Sequence, residues 1–124
     1  MQRKKVLLVD DSPTVLMMEQ MLLGRQNYEV ITAKDGEEGV AKAHSEHPDL
    51  ILMDVVMPRM DGFEAVRRIR ADDSISQVPV IMVTTRGETV NMEKGYTAGC
   101  SDYVTKPIDA RELLAKLKSY LGDA

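Results

Sequence analysis

A set of short apolar runs, each ending in a polar or charged residue, limits what this chain can become. Val6-Leu7-Leu8-Val9, Leu50-Ile51-Leu52-Met53 and Pro79-Val80-Ile81-Met82-Val83 are continuous rather than alternating. A strand with one wet face alternates apolar and polar residues, whereas a strand covered on both faces does not need to. Tyr28 to Ala33 adds a stretch rich in β-branched residues, and Asp102-Tyr103-Val104-Thr105 a short fifth one. The spacing between these runs is filled by segments that read as helices.

Ser12-Pro13 supplies an N-cap and a first-turn proline for a helix running to about residue 26, with Leu16, Glu19 and Leu23 on a mixed face. A second helix is expected over 37–47, stopped by Pro48. A third carries Phe63, Val66 and Ile69 on one side. A fourth is expected over 88–97, weakened by Gly95 and two threonines and ended by Gly99. Asp109 with Glu112 resembles a capping box before a last helix that buries Leu113, Leu117 and Leu121, with Leu114 beside them. Strand and helix thus alternate along the whole chain. Right-handed crossovers turn that order into an α/β fold, a doubly wound five-stranded parallel sheet with helices on both faces.

With 124 residues the chain is expected to form one domain, residues 1–124. Its net charge of −4 argues against a sequence-independent grip on nucleic acid, which needs a basic face. No apolar run is long enough to span a bilayer, and the run behind the basic start is too short for a signal peptide. A cytoplasmic protein is the expectation. The single cysteine, Cys100, leaves no intrachain disulfide and no cysteine cluster for zinc.

Open parallel sheets bind ligands beyond the carboxyl ends of their strands. Those ends carry Asp10 and Asp11, Asp54, Thr84, and Lys106. Three carboxylates at close range stay ionised together only if positive charge sits among them. Lys106 supplies one charge, and a divalent cation would supply the rest. Oxygen donors that also admit phosphate suit Mg²⁺ better than zinc or copper. An ionised carboxylate can attack phosphorus without losing a proton, so the inventory suits formation of an aspartyl phosphate.

Taken singly, each residue has a plainer reading. Strand-end aspartates are common caps, Lys106 could be a solvated lysine and Thr84 a strand-end hydroxyl on backbone. The combination favours a site. Tyr103 reads equally well as a packing residue or as a moving part. The methionines read as core filler, with Met17, Met18 and Met21 a weaker candidate for a partner surface, and Arg67, Arg68 and Arg70 read as a solvated helix face.

Val9-Asp10-Asp11-Ser12, Pro48 to Asp54, Met57-Pro58-Arg59-Met60-Asp61-Gly62, Pro79 to Thr84 and Asp102 to Pro107 together resemble the receiver domains of bacterial two-component response regulators. Single-domain receivers of the chemotaxis type are the nearest in pattern, and the resemblance covers essentially the whole chain. It implies a flavodoxin-like fold. It implies that Asp54 accepts the phosphoryl group from a histidine kinase and that Asp11 binds Mg²⁺ directly. Asp10 would assist through water, and the Val56 carbonyl would be a further ligand. Lys106 would pair with the phosphoryl group, Thr84 would swing its hydroxyl toward it, and Tyr103 would change rotamer in step. The Lys106-Pro107 bond would be cis. The signal would pass by protein contact through the face made by the last strand and last helix.

Two departures bear on the lifetime of the phosphoryl group. Thr85 stands where the family usually has a smaller residue, and its β-branch would narrow access to Asp54. Val56 presents an apolar side chain that cannot orient an attacking water. Both point to a group that leaves slowly. Other functions fit less well. An aspartyl-phosphate phosphatase would need a second aspartate where Val56 stands. An FMN site would need a Ser/Thr/Gly-rich loop where Asp10-Asp11-Ser12-Pro13 would repel phosphate. A receiver-like adaptor that is never phosphorylated remains open. No output segment follows Ala124, so DNA binding is not expected from this chain, unless it is a piece of a longer regulator.

Overall fold

The structure is a computed structural model and describes residues 3–85 and 96–122, the side chain of Thr85 excepted. Most of the helix expected over 88–97 lies outside the described residues, as does the expected effect of the Thr85 side chain. The elements run β1 (Lys5–Val9), α1 (Pro13–Gly24), β2 (Glu29–Ala33), α2 (Gly36–Glu46), β3 (Leu50–Asp54), α3 (Gly62–Ala71), β4 (Val80–Thr85), β5 (Asp102–Lys106) and α4 (Ala110–Leu121).

The strands form one parallel sheet in the order β2-β1-β3-β4-β5. The side-chain period of two divides β1 between two cores. Leu7 and Val9 join Ile51, Met53, Ala43, Phe63, Val66 and Ile69 beneath α2 and α3. Val6 and Leu8 join Leu50, Leu52, Leu23, Leu113 and Leu117 beneath α1 and α4. This two-sided burial is why the apolar runs are unbroken.

Local signals set the helix ends. Ser12 Oγ accepts from the Val15 amide at 3.3 Å, and Pro13 opens α1. Asp35 and Asp61 cap α2 and α3 by accepting from the Glu38 and Glu64 amides. Asp109 accepts from the amides of Arg111 and Glu112 and so caps α4, as its spacing predicts. α1 ends at Gly24, short of residue 26, and in α4 Leu121 is half-buried rather than fully inside.

Two surface readings need correction. Met53, Met57, Met60 and Met82 do fill the core, but Met17, Met18 and Met21 are 60%, 58% and 57% exposed. Arg70 is not part of a solvated face. Its guanidinium is half-buried and donates to the carbonyls of Gly99, Ser76 and Val78 at 2.8, 3.0 and 2.6 Å. Arg67 and Arg68 keep the solvated role and pair with Glu64 on their own helix.

Candidate functional site

The register of the sheet decides what meets at its carboxyl edge. Val9 lies opposite Met53, Asp54 opposite Val83, and Thr84 opposite Thr105. The residues just past those pairs therefore converge. The edge lies where the chain order reverses, with β1 between β2 and β3, the place where open α/β sheets form their crevice.

Each side chain is aimed by local bonds. Asp10 is 1% exposed, and its Oδ1 accepts from the Ser12 amide at 2.9 Å, so the turn that starts α1 also fixes this carboxylate. Asp54 ends β3. Behind it Gly62 donates to the Val55 carbonyl at 2.9 Å. A Cβ on Gly62 would run into the Asp54 carbonyl oxygen and, at 2.7 Å, the Met82 Cε, so only glycine lets α3 start this close. Lys106 ends β5 before a cis bond to Pro107. Its Nζ bridges Asp54 Oδ1 at 3.2 Å and Asp10 Oδ2 at 3.3 Å. Asp11 is exposed, Thr84 is buried, and both line a cleft of about 270 Å³ with Asp10, Asp54, Val56 and Lys106. The Val56 side chain turns outward and is 62% exposed. Tyr103 is buried, with its ring edge-on to Tyr96 at 5.3 Å between centroids.

The charges do not balance. Asp10, Asp11 and Asp54 can place one carboxylate oxygen each within 4.8 Å of one another, with one ammonium among them. Burial pushes the Asp54 carboxyl up to about 6; Asp10 adds to that, and Lys106 opposes it. Burial works against the charge on Lys106, but Asp54 and Asp10 outweigh it and leave the lysine raised. A cation of higher charge placed among these oxygens would hold all three carboxylates ionised. An all-oxygen donor set with an exposed member selects a hard ion that keeps part of its water. The residues present fit Mg²⁺.

One member of the neighbourhood escaped the sequence reading. Glu19 of α1 is 3% exposed, and its carboxyl is pushed up to about 8, by burial first and then by Asp10, with Lys106 opposing. The signal was available: a charged residue at helical spacing between Leu16 and Leu23, on the face that meets the sheet.

Over residues 6–118 the sequence matches the response regulator receiver domain family. The chain belongs to that family. It is 40% identical to protein PilH of Pseudomonas aeruginosa over 95% of this chain and 98% of PilH. It is 41% identical to the alkaline phosphatase synthesis transcriptional regulatory protein PhoP of Bacillus subtilis, of which it spans 48%. Among solved structures it superposes on the Vibrio cholerae chemotaxis protein CheY4 with a TM-score of 0.90 at 37% identity, covering 96% of this chain and 99% of that one. The receiver domain of the Pseudomonas aeruginosa sensor histidine kinase PA1611, solved with magnesium in its active site cleft, gives 0.90 at 33% identity over 97% and 98% of the two chains. This receiver is a phosphorylation-activated signalling module. Among its described residues no helix is long and apolar enough to cross a membrane.

Proposed function

We propose that this receiver takes a phosphoryl group from a phosphohistidine of a histidine kinase onto Asp54. The observation that carries this reading is the Lys106 bridge to both Asp54 and Asp10 inside an acidic cleft. A surface aspartate needs no such counter-charge, and a capping aspartate bonds amides instead. In the transfer one Asp54 oxygen forms a bond to phosphorus as the phosphorus–nitrogen bond of the donor breaks, and the released imidazole takes its proton from solvent. Phosphoryl transfer asks the protein mainly for position and charge. Lys106 and the buried Thr84 hydroxyl would receive the oxygens of the group.

Asp11 and Asp54, with Asp10 assisting and the Val56 carbonyl as a further ligand, would hold Mg²⁺. When bound, that ion would neutralise the carboxylates and the incoming phosphoryl oxygens. The chain's own catalysis would be confined to gaining and losing this group.

The phosphoryl group brings three strong acceptor oxygens and roughly −1.5 to −2 charges, but it replaces the charge of the carboxylate, so the net gain at Asp54 is about one negative charge. Thr84 would turn toward it, and Tyr103 would follow into the space released. The face of β5 and α4 would present the altered shape to a protein target, as a shift between existing states. A cytoplasmic location and a pathway of the chemotaxis type accord with this reading.

Acetyl phosphate with Mg²⁺ provides the test. Intact-mass measurement should show one phosphoryl adduct in the wild type and none in Asp54→Asn. An adduct of equal yield in Asp54→Asn would remove the proposal.

A further inference from the structure

The end of α2 carries the chain's two histidines, His44 and His47. From there the chain enters β3 at Leu50, so both lie at the opposite edge of the sheet from Asp54. His44 sits in the last turn of the helix. His47 closes it in the left-handed conformation, with φ at 48° and its amide donating to the Ala43 carbonyl at 3.1 Å. Residues three apart on a helix are neighbours. The two exposed rings accordingly stand 6.4 Å apart between centroids, tilted by 37°.

His44 is also held from another element. Its Nδ1 lies 2.6 Å from Oδ2 of Asp72, the residue that caps the end of α3. Oδ1 of the same carboxylate accepts from the Ser74 amide and hydroxyl at 3.0 and 2.7 Å. The bond from Ser74, and then that from His44, hold the Asp72 carboxyl below the usual carboxylate range. An ionised carboxylate only accepts, so Nδ1 of His44 must carry a proton, and in the neutral ring the lone pair falls to Nε2. Metal-binding histidines are oriented in this way: one ring nitrogen donates to a carboxylate and the other binds the ion. Metal–nitrogen bonds of about 2.0–2.1 Å put two imidazole centres roughly 5 Å apart in a tetrahedral site. A small turn of the exposed His47 side chain closes the difference.

We propose that His44 and His47 form a site for a divalent transition ion of the zinc class, with Asp72 orienting His44 and water completing the coordination. Imidazole nitrogen suits Zn²⁺, Ni²⁺ and Cu²⁺ rather than Mg²⁺, so the two edges of the sheet select different ions. Because His44 is fixed on Asp72, an ion bound here fastens the end of α2 to the end of α3 and stabilises the folded chain. The site is remote from the acidic cleft, and this inference does not depend on Asp54 being the phosphoacceptor.

The test is a Zn²⁺ titration of untagged protein, with excess Mg²⁺ to keep Zn²⁺ out of the acidic cleft, followed by calorimetry and by the imidazole NMR resonances. One Zn²⁺ per chain should bind, and the resonances of both rings should shift together. His44→Gln and His47→Gln should each weaken binding at least about tenfold. Asp72→Ala keeps both ligands and should weaken it by about 10–100-fold, the usual cost of losing the carboxylate behind a ligating histidine. Circular dichroism without Zn²⁺ confirms that the variants, all changed at residues outside the core, are folded. A plain ion pair between two helix ends predicts otherwise: no saturable binding in the wild type. That result, or affinity unchanged in His47→Gln or in Asp72→Ala, would overturn the proposal.

Discussion

Helices α1 and α3 cover opposite faces of the same sheet and are built in opposite ways. In α3 Phe63, Ala65, Val66 and Ile69 face the strands, and Arg67 and Arg68 face water. In α1 the fully buried residues are Glu19 and Leu23, while Met17, Met18 and Met21 lie on the surface. The first arrangement is that of a helix whose task is packing. The second places an acid inside and thioethers outside, each of which costs stability, and it does so next to Lys106. The difference teaches where this receiver has set aside stability. The α2–α3 side holds Asp54 in place from behind through Gly62, and the α1–α4 side is the one with a groove and a buried acid on its wall.

The largest contrast should come from truncating the packing side. Phe63→Ala removes a buried ring from the core beneath α3 and should cost about 3–5 kcal/mol in urea unfolding, the usual range for such cavities. A cost below about 1 kcal/mol would mean that α3 is not the rigid side. Because the loss is one of packing, the surviving folded fraction should still accept a phosphoryl group.

The next effect belongs to α1 and depends on pH. Glu19 keeps its proton in the folded protein up to about 8, while its ordinary value is 4.5. Between those values the folded state binds more protons than the unfolded one, so stability falls as pH rises and levels off above about 8. Glu19→Gln removes that slope. In metal-free protein the variant and wild type should be alike near pH 4.5, and the variant should be more stable at pH 8 and above, by on the order of 4 kcal/mol. Asp54 contributes a similar slope at lower pH, which both proteins share and which cancels in the difference. A pH-independent difference would show that Glu19 is not buried as an acid.

These two helices also mark how far sequence reasoning reached. The strands were legible because burial on both faces leaves unbroken apolar runs, and α3 because its apolar stripe recurs at helical spacing. Asp10, Asp11, Asp54, Thr84 and Lys106 were legible as a set because topology alone brings the ends of parallel strands to one edge. Glu19 was visible on its face but not tied to the site, since its meaning depends on which loop lies over α1. Arg70 was misread for the same reason: its carbonyl partners at residues 76, 78 and 99 come from other parts of the chain. Period and composition report which face is buried, not what a long side chain meets there.

Arg70 gives a third test, intermediate in size. It satisfies three carbonyls at once with no carboxylate partner among the described ion pairs. Arg70→Lys keeps the charge but cannot span all three, so buried carbonyls are left bare at roughly 1–3 kcal/mol. Thermal unfolding of the variant should show that loss. An unchanged midpoint would mean that water replaces the guanidinium and that this end of α3 is more open than it looks.

The smallest effect should come from the thioethers of α1. Met17 is 60% exposed and does not line the groove, so Met17→Ala removes little buried area. Alanine is also the better helix former, which offsets part of what is lost. Urea unfolding should place the variant within about 0.5 kcal/mol of the wild type, the range of ordinary surface substitutions. The contrast with Phe63→Ala is then nearly the whole energy of a packed ring, although both residues are large, apolar and helical. A loss for Met17→Ala above about 1 kcal/mol would show that the outer face of α1 is covered in solution, and the contrast between α1 and α3 would fall with it.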